Sequence, residues 1–421
     1  VNPEKNLLFT PIKIGNRMAS NRFVIQPMEF NDGIGSEDPA HRGDPTERTV
    51  ARYRNLHQGD AGMIVLEAIT VSEESYARTN QLMILPRNAK ALAKLVAEAK
   101  AVNPKPIFVA QLTHSGEISN PEISTCTAPR RSPGFDSRLL TDEDGDRIIE
   151  QFVSAARVAH DAGFDGLELK FCHGYLGAQI LRPYNNRPWK YGGPKENRFR
   201  FGYEIYERIV KAVNDPNFLL GSKVTIYEGI PGGQGTAGPD TPMMDISESL
   251  EFVQGIEARG AKFILQSAGG PSANTVLNQP PQDTPDEAYM HFYFAHEVKK
   301  VVRPETVVIG SAYSAFNNGH LHNFRYVDPE ESSLMAWGQK NIARGITDMI
   351  ALGRQSIADP LMPCKVMAGH PDQVKWCHAC DGCFELLARQ HQVSCVTHNL
   401  EGAQELAKVR KEFGPLFISR T

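Results

Sequence analysis

The chain has 421 residues, 41% hydrophobic and 22% charged, which excludes a small disulfide scaffold and a disordered or fibrous protein. Its 45 Lys and Arg against 49 Asp and Glu leave a formal net charge of -4, too balanced to announce a nucleic-acid partner. No apolar run reaches the roughly eighteen residues of a membrane span, so small-molecule chemistry is the expectation.

The opening residues VNPEKNLLFT lack a basic stretch followed by an apolar region and a cleavage site, so no secretory signal is expected. Of seven cysteines, four lie between Cys377 and Cys395 and the others are Cys126, Cys172 and Cys364. That distribution does not suit a secreted disulfide framework and points to a reducing cytoplasm.

Short β-branched runs, each followed by a helical pattern, recur along the chain. Strands are predicted at 22–28 (RFVIQPM), 62–68 (GMIVLEA), 107–112 (IFVAQL), 164–170 (FDGLELK), 220–226 (LGSKVTI), 262–267 (KFILQS), 306–310 (TVVIG) and 348–353 (DMIALG). Helical periodicity fills segments between them, as at 46–57, 88–101, 142–162 and 245–259. Eight apolar strands with crossover helices predict a closed (β/α)8 TIM barrel over residues 1–370, followed by a short cysteine-rich extension over 371–421. The rival doubly wound sheet lacks a GxGxxG turn after its first strand.

In such a barrel chemistry sits where strands end. That rule selects Met28, Glu29, Glu67, Ala68, Gln111, His114, Lys170, His173, Lys223, Gly310 and Gly353. Four long connections, 30–45, 113–141, 266–285 and 314–331, are expected to form lids and rims over the site.

Three constellations carry chemistry. Cys377, Cys380, Cys383 and Cys395 are spaced C-x2-C-x2-C-x11-C. Three clustered thiolates and a distant fourth fit a [4Fe–4S] cube better than the paired knuckles of zinc, although zinc and unligated thiols both stay open. Lys170, His173 and Tyr175 follow the fourth strand, where a phenol can donate a proton and an imidazole or ammonium can polarise an oxygen. Packing, a rim aromatic and a solvated lysine are the bland alternatives. Glycine turns at Gly310-Ser311-Ala312 and Gly353-Arg354 follow strands seven and eight, where loops commonly cradle phosphate.

The stretches NRFVIQPM (21–28), QLTHSG (111–116), GFDGLELKFCHGYL (163–176), YGGPKENR (191–198) and ALGRQSIADP (351–360) resemble the old yellow enzyme family of FMN-dependent oxidoreductases. With the cysteine group, the chain is most similar to the iron–sulfur branch that contains 2,4-dienoyl-CoA reductase, trimethylamine dehydrogenase and enoate reductases. The resemblance implies that Pro27, Met28 and Ala68 pack against the flavin and that Gln111 hydrogen-bonds its pyrimidine edge. Lys223 would stand near N1 and O2, where relatives usually carry Arg. Gly310, Ser311, Ala312, Gly353 and Arg354 would hold the FMN phosphate. Tyr175 matches the proton donor and His173 the second of two substrate-anchoring positions.

Three departures stand out. Lys170 replaces the first His or Asn of the anchoring pair, Glu29 stands where relatives carry Cys or Thr beside the flavin, and Glu117 replaces an Arg. The extra cation at Lys170 predicts an anionic substrate. Only 26 residues follow Cys395, too few for the second nucleotide domain of those relatives, so a separate electron-transfer protein or subunit is expected.

The leading reading is an ene-reductase of an activated C=C, with FMN, a [4Fe–4S] cluster and NAD(P)H as external reductant. Hydride would pass from flavin N5 to the β-carbon while Tyr175 protonates the α-carbon. The same cofactors running in reverse give an amine or alcohol dehydrogenase or demethylase. A flavin-free lyase with a Schiff base on Lys170 and structural zinc is a different class, as is a non-catalytic electron-transfer scaffold. The resemblance also implies association into homo-oligomers.

Overall fold

The computed structural model describes residues 6–271, 273–281, 285–317 and 332–416. A hairpin, β1 (Ile12–Ile14) and β2 (Arg17–Ala19), precedes the barrel strands β3 (Phe23–Ile25), β4 (Met63–Thr70) and β5 (Ile107–Thr113). A two-stranded insert, β6 (Thr127–Ala128) and β7 (Arg138–Leu139), separates these from β8 (Gly166–Phe171), β9 (Leu219–Thr225), β10 (Phe263–Ser267), β11 (Val307–Gly310) and β12 (Met349–Leu352). The helices are α1 (Glu47–Gln58), α2 (Ala89–Val102), α3 (Asp142–Asp161), α4 (Leu176–Leu181), α5 (Lys195–Val213), α6 (Ser247–Ala258), α7 (Thr275–Asn278), α8 (Asp286–Val301), α9 (Leu334–Ala343), α10 (Arg354–Ala358), α11 (Met362–Met367), α12 (Gly382–Ala388) and α13 (Leu400–Phe413).

The eight strands β3, β4, β5, β8, β9, β10, β11 and β12 close into one parallel barrel, the (β/α)8 architecture expected from the sequence. Every predicted strand has a counterpart, with shifted ends. The first is the most shortened, to Phe23–Ile25, because Pro27 has no N–H to extend a ladder.

Alternation along each strand decides what the barrel holds. Outward side chains such as Phe23, Ile64, Phe108, Leu167, Ile264 and Ile350 join the apolar shell beneath the helices. Inward ones form a separate apolar plug that includes Val24, Val65, Val109, Leu219, Phe263, Leu265, Ile309 and Ala351, floored by Ile14 and Ala19 of the hairpin. A register shift between Leu66 and Ala68 resets the phase of β4. Glu67 therefore turns out to Arg52 of α1, whose Nη2 lies 2.7 Å away.

The segment after β12 packs across the mouth of the barrel. Leu386, Leu406 and Val409 give it a small core of its own. Gln390, at φ +62, clasps two barrel loops: its Oε1 accepts from Thr79 N at 3.0 Å, its Nε2 donates to Ala77 O, and its carbonyl accepts from Asn31 Nδ2. The main chain at Val393 adds a bond to Phe30 O.

Candidate active site

Climbing by twos from the apolar plug reaches polar side chains at the C-terminal mouth, Gln26 after β3, Gln111 on β5, Lys223 on β9 and Ser267 on β10, and β8 adds Lys170. These five line one cavity together with Pro27, Met28, Glu29, His173, Tyr175, Ser311, Ala312, Gly353 and Arg354. Ala68 and Gly310 are not in its wall; both are fully buried in their strands. Of the four connections expected to roof the site, 266–285 contributes Pro271, Asn278, Gln279 and Pro280. Most of 314–331 lies outside the described residues.

Glu29 is the hub of one wall. Its Oε1 accepts from Lys170 Nζ at 3.0 Å and from the Tyr175 hydroxyl at 2.7 Å, and its Oε2 accepts from Arg78 Nε at 3.0 Å. Burial alone would raise its pKa, but the two cations beside it bring it down to about 2. Lys170 also stands 3.4 Å from the centre of the Tyr175 ring, a cation–π contact. Burial and the Glu29 charge push the Tyr175 phenol up to about 12. Sequence reasoning selected Glu29, Lys170 and Tyr175 separately but missed Arg78, which sits in a loop beyond β4.

His173 occupies the left-handed region at φ +60 and Gly174 follows at φ +71. A non-glycine residue there is strained, and the double reversal turns the chain directly from β8 into α4. Thr225 Oγ1 holds the His173 N–H at 3.2 Å, and its Nε2 lies 2.9 Å from Ser267 Oγ. Burial, with Lys223 and Lys170 nearby, holds the imidazole pKa well below its ordinary value, so the ring is neutral.

On the opposite side, Lys223 donates to Gln26 Oε1 at 2.8 Å, and burial lowers its pKa. Gln111 Nε2 donates to Glu168 Oε1 at 2.5 Å, and burial pushes Glu168 up to about 7. The other Glu168 oxygen is buried without a hydrogen-bond partner among the described residues. Arg354 is occupied: Asp381 Oδ1 accepts from its Nη1 at 2.5 Å and Pro280 O from its Nη2 at 2.7 Å.

Cys383 lines this cavity, whereas Cys395 lines a neighbouring one that shares Gln26, Met28 and Val393. Cys377 is buried, Cys380 exposed, and Cys377 lies within electrostatic reach of both Cys380 and Cys395. Among the described residues, no three or more His, Cys, Asp or Glu side chains gather tightly enough to hold one metal ion.

A closed parallel barrel that gathers buried cations, a phenol and an imidazole at its C-terminal mouth has the layout of a (β/α)8 enzyme. The family model described as NADH:flavin oxidoreductase / NADH oxidase matches residues 7–251, and the chain belongs to that family, the FMN-dependent oxidoreductases of old yellow enzyme type. It is 30% identical to an NADH oxidase of Thermoanaerobacter brockii over 90% of this chain and 53% of that one. It is 29% identical to a cinnamate reductase of Clostridium sporogenes over 97% of this chain and 59% of that one. The solved histamine dehydrogenase from Rhizobium sp. 4-9 shares the fold, with a TM-score of 0.73 and 23% identity over 96% of this chain and 53% of that one. The chain thus spans little more than half the length of these relatives. No helix among the described residues is long and apolar enough to cross a membrane.

Proposed function

We propose that the mouth cavity binds FMN and that the protein reduces the activated C=C of a small organic substrate. The observation that carries this reading is the convergence of Pro27, Met28, Gln111, Lys223, Ser311, Ala312, Gly353 and Arg354 with Lys170, His173 and Tyr175 on one cavity. The donor set fits a flavin: apolar Pro27 and Met28, two amides, the buried Lys223 cation, and Ser311 with the Gly353 turn. A Cβ at Gly353 would point toward Met28 Sδ and Gln26, 3.5 and 3.7 Å away, so the glycine keeps that part of the wall open. Gln26, Gln111 and Lys223 would hold the ring's polar edge, and Ser311, Ala312, Gly353 and Arg354 its phosphate. Asp381 already balances the Arg354 charge, which makes Arg354 a neutralised donor there.

FMN, when bound, supplies hydride exchange at N5, with NAD(P)H as the external reductant. Tyr175 delivers the proton: its O–H turns from Glu29 Oε1 into the cavity, and Lys170 and Arg78 stabilise the phenolate that remains. His173, held neutral, offers a hydrogen bond to the activating group without adding a charge.

We further propose that Cys377, Cys380, Cys383 and Cys395, in an extension over 371–421 docked on a barrel over 1–370, hold a [4Fe–4S] cluster that exchanges electrons with a separate protein. Their spacing and mutual reach support this, since the corners of a four-iron cube stand farther apart than the ligands of one ion.

Anaerobic purification followed by flavin, iron and sulfide analysis tests both cofactors: FMN at one per chain is expected, with about four irons. Zinc without flavin would overturn the reading. Tyr175→Phe should then lower kcat for cinnamate reduction by about 10²–10⁴-fold while leaving FMN content intact. Turnover of amines with an artificial acceptor, but none of enoates, would reassign the direction to dehydrogenation.

A further inference from the structure

We infer that Arg78, and not Lys170, is the anion seat of this cavity, and that the substrate carries a carboxylate which Arg78 receives beside the Tyr175 hydroxyl. The inference rests on the proposed reaction site and names the chemistry of its substrate.

Lys170 was expected from the sequence to meet a substrate anion, but its ammonium lies 3.0 Å from Glu29 Oε1 and its side chain is only 4% exposed. Its charge is matched and its head is shielded by the Tyr175 ring. Arg78 touches the same carboxylate through Nε alone, and its side chain, at 14%, is the most open of the three. It also reaches the Tyr175 oxygen. Among the described residues Glu29 is the only carboxylate within ion-pair distance of Arg78. Two cations therefore share one anion, and this wall keeps an excess positive charge.

The rest of the cavity does not cancel that charge. Its wall holds four cations, Arg78, Lys170, Lys223 and Arg354, and Glu29 is the one carboxylate among its described residues. Asp381 balances Arg354 from behind, Glu168 lies near Lys223, and His173 and His291 are held neutral by burial. At the Tyr175 end of the cavity the unmatched charge sits at Glu29, Lys170 and Arg78. A guanidinium bound through Nε presents its remaining planar N–H donors to a second carboxylate, which a buried ammonium cannot do. A substrate anion there would lie against the phenol that moves the proton. This gives carboxylates an advantage over their amides, esters and amines.

The test uses the purified, flavin-loaded protein and the isosteric pair benzoate and benzamide, titrated by calorimetry. Wild type should bind benzoate about tenfold more tightly than benzamide, and Arg78→Gln should erase that preference. Arg78→Lys, which keeps a charge on Glu29 and serves if the glutamine variant does not fold, should weaken benzoate several-fold and leave benzamide unchanged. Equal binding of the two probes, failure of both to bind, or a preference that survives both variants would overturn the assignment. The flavin spectrum, recorded on the same samples, reports separately on the cofactor reading.

Discussion

The two ends of this barrel are built from the same eight strands yet obey opposite rules. At the floor, inward positions are Val24, Val65, Val109, Leu219, Phe263 and Val307, closed by Ile14 and Ala19 of the hairpin. Two or more positions higher on the same strands stand Gln26, Gln111, Lys223, Ser267 and Ser311. The floor is stabilised by apolar burial and close packing, as at Gly221, where a Cβ would meet the Phe263 ring at 2.5 Å. The mouth keeps buried charges that stabilise only as a set. One backbone thus separates the residues that hold the fold from those that line the cavity.

The largest effects should come from breaking each end. Glu29→Ala leaves Lys170 and Arg78 without their buried carboxylate and should cost about 3–5 kcal/mol. Phe263→Ala empties the floor and should cost a similar 3–5 kcal/mol. Urea unfolding measures both, and ligand titration separates them. The floor variant should keep its discrimination between benzoate and benzamide, whereas the mouth variant, with both cations left unmatched, should shift it further toward benzoate. An equal change of discrimination in both would dissolve the distinction between the ends.

Acid and base should reveal a second contrast, now within the mouth. The folded Glu29 carboxyl, at about 2, lies below its ordinary 4.5. Its stabilisation is therefore complete above pH 4.5 and is lost as the pH falls toward 2. Glu168, raised to about 7 from the same 4.5, works in the opposite sense. Its ionisation penalises the folded state fully above pH 7, and the penalty fades as the pH falls from 7 toward 4.5. The stability difference between Glu168→Gln and wild type should therefore grow from pH 4.5 to 7, with the histidine contributions common to both proteins. A difference that stays flat across that window would show that Glu168 is not held neutral.

Much of this organisation was legible in the sequence. The eight strands were, because their apolar runs are short and bounded by helical periods, and strand ends then led to Glu29, Lys170, His173, Tyr175 and Lys223. The β1–β2 hairpin was not: three-residue strands such as Ile12–Ile14 carry no periodicity to read. Arg78 was missed because it sits in a loop eight residues beyond the end of β4, at Thr70, and only the fold brings it to Glu29. The shift at Leu66 and Ala68 likewise decides which of Glu67 and Ala68 faces outward, and no residue type announces it. The clasp by Gln390 depends on a left-handed backbone at a residue that rarely adopts one. For Arg78 and for the β4 shift the missing information is a pairing across the fold.

The smallest expected effect tests whether the mouth's loops can be loosened without disturbing its charges. Thr46 caps α1 by accepting from Thr49 N at 3.3 Å, and its hydroxyl donates to Asp32 O at 2.7 Å, tying down the loop that follows Glu29. Thr46→Ala removes both bonds and should cost about 1 kcal/mol, with Thr46→Ser restoring most of it. The benzoate preference should not change, because Glu29 is fixed by Lys170, Tyr175 and Arg78 and not by the cap. A preference lost with the cap would mean that loop tension, and not the ion set, positions the carboxylate, and the contrast between floor and mouth would then rest on loop anchoring instead of buried charge.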